Sequence, residues 1–308
     1  MATSEAVAAA TTRPSDRRRP LSLRSGLFAF TLSTLWAGNT ISIKAGLEDA
    51  PPLRLGWMRF VLGGIVVLTW AIATRQTLRP TRAELWPLAI LGVLFSVQLA
   101  FMNIGQSFTT AGHAVIVTTT FPLWASVFAH IFVPGDKMSR NRTLGTVIAY
   151  SGVAAVFVRG LIDFDAGLLR GDVLLLCSAI LLGLRQVYVS QIAQGISQPK
   201  LLIAQSLFGT VSFVAASLLF ESGDPYRFTA TLAIALGYQG IVIAGFGFIG
   251  QTWLLKNYLP SRVTVISISQ PVVGVILSWL ILGETIGPEL YAGAALVVIG
   301  SYLAQRRR

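Results

Sequence analysis

The sequence predicts an all-α membrane protein with ten transmembrane helices, arranged as two inverted five-helix repeats. Composition is the first reason: 54% of the 308 residues are hydrophobic and only 12% are charged, about half the charged fraction of a typical soluble domain. The second reason is a series of apolar runs that are long enough to span a bilayer. The third is an internal repeat, in which a segment near the middle of the chain shares its pattern with the C-terminal segment.

Ten apolar runs follow one another between the basic N-terminal segment and the C-terminal arginines. A helix needs roughly 20 residues to cross the hydrocarbon core. Because backbone groups inside that core find no water, runs of this length form helices. The predicted spans are residues 25–44, 54–74, 84–106, 110–133, 142–159, 171–191, 200–220, 232–256, 260–282 and 288–304.

The internal repeat relates residues 113–157 to residues 260–308. Each segment has a proline within an apolar run, then a carboxylate between two runs, then two glycines in the next run. The corresponding residues are Pro122 and Pro271 at an offset of 149, and Asp136 and Glu284, Gly145 and Gly293, and Gly152 and Gly300 at an offset of 148. A unit of five spans crosses the membrane an odd number of times, so its second copy is inverted, a plan common among secondary transporters.

The repeat divides the chain into five parts. They are a tail at 1–24, a first five-helix repeat at 25–159, an extracytoplasmic linker at 160–170, a second five-helix repeat at 171–305 and a basic end at 306–308. A cleaved signal peptide is the alternative for the tail. The apolar run that follows is long enough to span and shows no clear small-residue cleavage site, which favours a disordered tail that stays attached.

The distribution of Lys and Arg predicts the orientation of the chain. With both termini in the cytoplasm, 17 of the 24 Lys and Arg residues lie on that side and six on the other, while Arg185 lies inside a predicted helix. Cytoplasmic loops of membrane proteins carry such an excess. The net charge of +11 thus follows from topology. Since the positive charge is not gathered on one segment, no nucleic-acid partner is expected.

The chain offers little for cofactor or catalytic chemistry. Cys177 is the single cysteine, so neither a disulfide framework nor a cysteine metal site can form. Gly245, Gly247 and Gly250 spell G-x-G-x-x-G, but a dinucleotide site needs a preceding strand. With Gly240 they are better interpreted as a helix-packing face. We expect no cofactor, no metal and no enzymatic activity; a membrane-embedded enzyme would place titratable side chains together at one depth.

Three stretches resemble the ten-helix EamA-type members of the drug/metabolite transporter superfamily. They are LWAGNTISIKAGL at 35–47, SFTTAGHAVIVTTTFPLWASVFAHIF at 107–132 and the segment 254–305, which holds Pro271 followed by Leu282, Gly283 and Glu284. The first half has Pro134, Gly135 and Asp136 instead, which keeps the carboxylate but departs from the motif. The resemblance implies an inner-membrane or plasma-membrane carrier, often an exporter of amino acids, metabolites or drugs, with a central cavity lined by both halves.

Polar and aromatic side chains inside the apolar runs are the candidate substrate ligands, because such groups need water or partners in hydrocarbon. The candidates are Trp36, Asn39, Gln98, Asn103, Arg185, Tyr188, Ser267 and Gln270. For the small residues, close helix packing is an equal alternative. Pro122 and Pro271, with Gly274, are predicted to bend their helices or to open a gate there, since proline frees a carbonyl; a kink that serves packing alone is the alternative.

Charged and histidine side chains give further hypotheses. Arg185 is predicted to hold a carboxylate or other anionic group, or alternatively to extend towards the cytoplasmic headgroups. Lys44 and Arg59 flank the outer end of the first two helices and are interpreted as interfacial anchors, with attraction of anions as the alternative. His113 and His130 are also interpreted as interfacial side chains. No Asp or Glu lies in the middle of a predicted span. The expected transport is therefore facilitated diffusion or exchange, or coupling through His113.

These observations predict a secondary transporter of small organic solutes, an exporter or facilitator for amino acids or related carboxylate metabolites that works by alternating access. The alternative is a flippase for an anionic lipid headgroup, which a lateral opening between helices would favour. The partners expected are the substrate and the lipid bilayer, and the oligomeric state, a monomer included, is left open. The predicted location is the bacterial inner membrane, with both termini cytoplasmic.

Overall fold

In the computed structural model, the structure describes residues 22–133, 139–162, 165–258 and 269–305, and every regular element in these ranges is a helix. The helices are α1 (Leu23–Gly46), α2 (Pro52–Ala73), α3 (Arg82–Phe108), α4 (Ala111–Thr118), α5 (Phe121–Phe132), α6 (Arg140–Ile162), α7 (Ala166–Ile192), α8 (Gln198–Phe220), α9 (Ala230–Gly237), a π-helical segment (Tyr238–Gly247), α10 (Phe248–Asn257), α11 (Ser269–Leu282) and α12 (Pro288–Gln305). The predicted all-helical class is confirmed for this part of the chain.

Six stretches of the described chain are long and apolar enough to cross a membrane. They are Pro52–Ala73, Arg82–Phe108, Ala111–Phe132, Ala166–Ile192, Gln198–Phe220 and Ala230–Asn257, and shorter apolar helices lie at Thr143–Val156, Gln270–Leu282 and Pro288–Leu303. The outer surface carries large apolar side chains, such as Phe220 at 78% exposed and Ile234 at 74%. An apolar exterior of this kind suits lipid rather than water. The protein is an integral membrane protein.

Carboxylates from distant parts of the chain cap two helices. Glu221, after α8, accepts hydrogen bonds from the backbone N–H groups of Leu53 and Arg54 at 2.7 and 2.8 Å. Glu284, after α11, accepts them from Ala111 and from the next residue at 2.7 and 3.0 Å. Helix N-termini leave such N–H groups without intrahelical partners and attract negative charge. Each carboxylate therefore fixes the end of one helix to the start of another.

These caps help to define the two ends of the bundle. The end where α1 stops, named the Lys44 end, also holds the C-termini of α3, α8 and α11 and the N-termini of α2, α4 and α7. The opposite end, where α1 starts, is named the Ser22 end. There Lys200 at the start of α8 forms an ion pair of 2.8 Å with Glu84 at the start of α3.

Glycines set the close contact between α6 and α12. A Cβ added at Gly152 would lie 2.7 Å from the carbonyl oxygen of Gly293, and one at Gly300 would lie 2.4 Å from the carbonyl oxygen of Gly145. All four belong to the glycine pairs that the internal repeat relates. Small residues let membrane helices approach until their backbones touch. The repeated glycines therefore serve helix packing.

We predict that Gly152→Leu strongly lowers the melting temperature of the detergent-solubilised protein, because the new side chain meets backbone atoms that cannot move aside. Overpacking typically costs about 1 to 3 kcal/mol, and here the obstacle is backbone. Gly237→Leu is the matched control, since a Cβ at this helical glycine meets nothing within 4 Å. Equal melting temperatures for the two variants would contradict this account of the α6–α12 contact.

The π-helical segment explains the G-x-G-x-x-G sequence. Gly240 and Gly245 pack against Leu62 and Val66 of α2, and Gly250 packs against α1. The segment follows the helix α9, and no strand precedes it in the described chain. The interpretation as a packing face is therefore supported for Gly240, Gly245 and Gly250, whereas an added Cβ at Gly247 would meet only the carbonyl of Val242 in its own segment.

The predicted runs and the observed helices agree in position, with one informative division. The run 110–133 is split at Thr119 and Thr120 into α4 and α5, immediately before Pro122. Proline is tolerated in the first turn of a helix, where its missing N–H would have no intrahelical partner. Residues 259–268 and 134–138, which include Ser267 and Asp136, lie outside the described residues, so the approach to Pro271 is not described.

Candidate functional site

A central cavity lies between helices from both halves of the chain. Its walls come from α1, α3, α4, α5, α7, α8, α10 and α11. The polar lining is mostly neutral: amides at Asn39, Gln98, Gln186, Gln205, Gln251 and Gln270, and hydroxyls at Ser33, Thr40, Thr118, Thr119 and Thr252. Arg185 is the cation of the wall, and no acidic side chain of the described chain lines it. The cavity therefore offers one positive charge among many neutral hydrogen-bonding groups.

Arg185 is held on aromatic rings. Its guanidinium lies 5.1 Å from the ring centre of Phe95 and 5.9 Å from that of Phe248, and Nη1 donates to Oε1 of Gln205 at 2.6 Å. The side chain is only 8% exposed. No carboxylate of the described chain forms an ion pair with it, and its Nε has no hydrogen-bond partner there. Aromatic faces stabilise a cation without neutralising its charge, so Arg185 stays available to an anion.

Two amide oxygens in the cavity wall are acceptors without a donor. The Nε2 of Gln98 donates to Oγ of Ser178 at 2.9 Å, and that hydroxyl donates to the backbone carbonyl of Gln98 at 3.0 Å. This fixes the amide of Gln98, whose Oε1 is buried without a partner, as is Oδ1 of Asn39. A buried acceptor without a donor is unfavourable. The residues that line the cavity therefore include two amide oxygens whose capacity to accept a hydrogen bond is unused.

An aromatic surface runs beside Arg185. The ring of Trp36 lies 5.1 Å from that of Phe248, which in turn lies 5.8 Å from that of Phe95. Trp36 and Phe248 both line the cavity. The wall therefore combines apolar ring faces with the guanidinium and the amides, which suits a solute with an apolar body and a charged group.

Five of the eight predicted ligands line the cavity and two do not. Those in the wall are Trp36, Asn39, Gln98, Arg185 and Gln270. The hydroxyl of Tyr188 instead donates to the carbonyl of Pro87 at 3.1 Å, which ties α7 to α3. Asn103 is fully buried, donates to the carbonyl of Pro52 at 3.0 Å and accepts from Arg59 at 3.4 Å. Both serve packing between helices. Ser267 lies outside the described residues.

The three residues predicted to bend or gate their helices lie away from the cavity wall. Pro122 is buried in the first turn of α5, and Pro271 is buried in the first described turn of α11. Gly274 packs against α4, where an added Cβ would lie 2.4 Å from Cγ1 of Val115. The structure thus shows a helix break before Pro122 and close packing at Gly274.

Sequence reasoning missed Gln186, Gln205 and Gln251. Gln205 supports the guanidinium directly, and all three line the cavity. The rule that singled out Gln98 and Gln270, a large amide inside an apolar run, applies equally to them. The signal was therefore present in the sequence but was not applied throughout.

Contacts at the Lys44 end of the bundle change the interpretation of Lys44, His113 and Arg59. Lys44 donates from Nζ to the backbone carbonyls of Gln106 and Thr109 at 3.2 and 2.7 Å, so it bonds to α3 and its C-cap. His113 is 2% exposed and faces Oδ2 of Asp172 at 3.0 Å from Nδ1. Arg59 is 3% exposed. Arg59 and His113 are buried and are therefore not the interfacial anchors that the sequence predicted. Lys44 is half-buried, and its ammonium group bonds to protein carbonyls.

The known proteins that this chain is similar to include two that are named as transporters and one that is named as a probable efflux pump. The chain is similar to the uncharacterized transporter YoaV of Bacillus subtilis, with 23% identity over 90% of this chain and 94% of that protein. It is 28% identical to a probable amino-acid metabolite efflux pump of Salmonella typhimurium, over 92% and 95%. It is 26% identical to the uncharacterized inner membrane transporter YedA of Escherichia coli K12, over 93% and 94%.

A solved crystal structure shares the fold, with a TM-score of 0.69 at 19% identity over 91% of this chain and 98% of that one. The model of the EamA-like transporter family matches the chain twice, at residues 23–158 and 169–305. The two matches together cover nearly the whole chain. On this ground, and with a polar cavity inside an apolar helical bundle, the protein belongs to the EamA-like transporter family and is a membrane transporter of small solutes.

Proposed function

We propose that the protein is a secondary transporter of amino acids or related carboxylate metabolites, which it moves by alternating access through the central cavity. One observation carries the proposal: a single guanidinium, that of Arg185, faces a cavity whose polar lining is otherwise neutral. A buried cation favours an anionic partner, and the planar guanidinium matches a carboxylate in shape and hydrogen-bond geometry. The carboxylate group of the solute is placed at Arg185.

The remaining lining favours an amino acid over a simple carboxylate. An α-ammonium group donates hydrogen bonds, and the buried amide oxygens of Asn39 and Gln98 lack donors. The faces of Trp36 and Phe248 accommodate an apolar side chain. A zwitterion with an apolar side chain would use the guanidinium, the amide oxygens and the rings together, whereas a dicarboxylate would bring a second negative charge to a site with one cation.

The proposed architecture is ten transmembrane helices in two inverted repeats, 25–159 and 171–305, with both termini in the cytoplasm. The double match of the family model and the repeat-related glycines between α6 and α12 support it. The lower hydropathy of α1 fits the same plan. α1 is 24 residues long but is not among the six strongly apolar spans, because it contributes Asn39, Thr40 and other polar groups to the cavity.

Export is the proposed direction. The support is the relative in Salmonella typhimurium, which is named a probable amino-acid metabolite efflux pump. Polar contacts between α1, α3, α4 and α7 tie these helices together at the Lys44 end, which supports an opening at the Ser22 end. With cytoplasmic termini, that end faces the supply of metabolites inside the cell.

A proteoliposome panel tests the proposed substrate class. Purified protein is reconstituted, and counterflow is measured for the twenty amino acids, their deaminated keto or hydroxy acids, and the corresponding amino-acid amides, in which an uncharged carboxamide replaces the carboxylate. We expect apolar amino acids to exchange at least about tenfold faster than their amides, because the amides lack the carboxylate that Arg185 binds. Equal exchange rates for apolar amino acids and their amides would contradict the proposal. Movement of a labelled anionic lipid between leaflets, without solute exchange, would favour the flippase.

A further inference from the structure

A buried titratable pair lies beyond the cavity, at the Lys44 end. Asp172, in the second turn of α7, is fully buried, and its two oxygens have different partners. Oδ1 accepts from the hydroxyl of Thr109 at 2.9 Å, and Oδ2 faces Nδ1 of His113 at 3.0 Å. His113 is 2% exposed. Substrate binding, as proposed above, uses neither side chain.

This pair is part of a set of contacts that holds five chain segments together. Thr109 accepts a hydrogen bond from Lys44 with its carbonyl while its hydroxyl bonds Asp172, so it joins α1 to α7. His113 lies in the first turn of α4, whose N-terminus Glu284 caps from beyond α11. The Lys44 cluster is defined as these five residues: Lys44, Thr109, His113, Asp172 and Glu284.

Along α1 and α4, the cluster lies next to the cavity wall, on the side of the Lys44 end. Lys44 follows the wall residue Thr40 by one turn of α1, and His113 precedes the wall residue Val115 by two residues of α4. At about 1.5 Å of rise per residue, these steps are about 6 and 3 Å. The polar contacts therefore tie the helices together next to the cavity, and alternating access requires these contacts to separate.

The charged side chains around the pair come from several helices, and Arg59 of α2, also buried at this end, donates to Asn103 of α3 instead. Lys44 comes from α1, Asp172 from α7 and Glu284 from the segment after α11, and Glu284 acts electrostatically on Lys44. Exposed Glu48 also acts on Lys44. Arg170 of α7 is turned to the ring of Phe108 at 4.5 Å. Among other described side chains nearby, Glu289 lies beside Gly287 at the start of α12, and Gln106 of α3 is neutral.

The protonation state of His113 decides whether the positive and negative charges of this cluster balance. With His113 protonated, Lys44 and His113 match Asp172 and Glu284 in charge. With His113 neutral, one negative charge is left in excess in a cluster where Asp172 is fully buried and Lys44 and Glu284 are half-buried. An uncompensated buried charge is strongly unfavourable, and separation of the helices would admit water to it. The amide of Gln106, buried with no partner for either of its polar atoms, would gain hydration at the same time.

We propose that the His113–Asp172 pair is a proton-binding site whose protonation holds the Lys44 end of the bundle closed and whose deprotonation releases it. The proton passes between water and the imidazole, and no other bond forms or breaks. Histidine is the side chain whose charge ordinarily changes between about pH 5 and 8. Under the proposed alternating access, opening at the Lys44 end then includes loss of a proton, which couples transport to pH.

The test measures opening directly and needs no substrate. Spin labels are placed on exposed Ser107 at the end of α3 and exposed Thr285 between α11 and α12, as cysteines in a Cys177→Ser background. Distances are measured by double electron–electron resonance at pH 5.5 and pH 8 in lipid nanodiscs. We expect a single short distance at pH 5.5 and at least a threefold larger population of a longer distance at pH 8.

His113→Gln is expected to abolish this pH response, because glutamine keeps a hydrogen bond to Asp172 but does not titrate. His130→Gln is the matched control: it removes the chain's other histidine, exposed at the Ser22 end, and should leave the response intact. If His113→Gln does not fold, Asp172→Asn takes its place. It keeps the bond from Thr109 but removes the negative charge that opposes His113, so the population of the longer distance should no longer rise at pH 8.

A pH response that survives in His113→Gln, or a parent protein with no response, would overturn the proposal. If the pair only stabilises the fold, His113→Gln will lower the melting temperature but leave the response to pH unchanged. Normal pH-dependent opening in a protein that moves no amino acid or carboxylate would instead contradict the proposed substrate, and leave the proton site supported.

Discussion

Arg185→Gln is expected to lower the exchange of carboxylate solutes by about 10-fold to 100-fold. The glutamine amide keeps a polar group in the cavity but removes the only cation of the described wall. Hydrogen bonds to charged groups contribute about 1.5 to 3 kcal/mol, and each 1.4 kcal/mol is a factor of about ten. The measurement is counterflow of the best substrate from the panel, with the variant reconstituted at equal density.

The geometry around Arg185 makes a second variant informative. A lysine at this position keeps the charge but cannot present two parallel N–H groups or spread over the rings of Phe95 and Phe248. Arg185→Lys should therefore be intermediate, with a loss of roughly threefold to tenfold. If exchange rates fall in the order wild type, lysine variant, glutamine variant, the guanidinium binds the carboxylate through its paired N–H groups. If the lysine variant equals wild type, charge alone attracts the solute.

Arg170→Gln is the control for loss of a positive charge on the same helix. Arg170 is exposed at the Lys44 end, where its guanidinium lies 4.5 Å from the centre of the Phe108 ring. Its replacement should change the exchange less than twofold. If Arg185→Gln exchanges carboxylates as fast as the parent, then the guanidinium does not bind the solute and the proposed substrate class is wrong.

The sequence predicted helix positions well because the bilayer leaves few alternatives. A long apolar run in hydrocarbon must satisfy its backbone internally, so composition and length alone locate a helix. The same reasoning found Trp36, Asn39, Gln98, Arg185 and Gln270, which all line the cavity. Large polar side chains in such runs have to face protein or water, and the interior of the bundle is where both are available.

Tyr188 and Asn103 show where that reasoning stops. Both obey the rule, since each has polar atoms inside a helix, but each meets a backbone carbonyl on a neighbouring helix, that of Pro87 or Pro52. Whether a buried polar group meets a solute or a carbonyl depends on how the helices rotate against each other. Periodicity within one helix does not contain that information.

Asp172 was missed, and the pairing of His113 with it was not foreseen, for a related reason. Asp172 lies near the edge of its apolar run, where a carboxylate usually meets water, and its 59 residues of separation from His113 hide the pairing. Glu284 was noticed as part of a motif, but its action as a cap on α4 required the helix to be in place. Contacts between distant segments at helix ends decide these roles, and a single sequence gives little evidence of them.

Glu221→Ala is expected to give the largest loss of stability of any change at a helix end. The carboxylate is 4% exposed and accepts three hydrogen bonds, from the N–H groups of Leu53 and Arg54 and from the hydroxyl of Ser217 at 2.9 Å. Alanine leaves all three donors without that acceptor. At about 1 to 3 kcal/mol for each buried unsatisfied group, we expect the melting temperature in detergent to fall by roughly 10 °C or more.

Glu221→Gln tests how much of the lost stability depends on having two acceptor oxygens at this position. Glutamine has one carbonyl oxygen in place of two carboxylate oxygens, and its amide group would face an N–H donor of α2 or the hydroxyl of Ser217. It should therefore recover less than half of the lost stability. Glu48→Ala removes an exposed acid near the same end and should change the melting temperature by less than 2 °C, in line with surface substitutions. A Glu221→Ala protein as stable as Glu48→Ala would show that α2 is held in place by packing alone, because the cap would then contribute nothing to the attachment of α8 to α2.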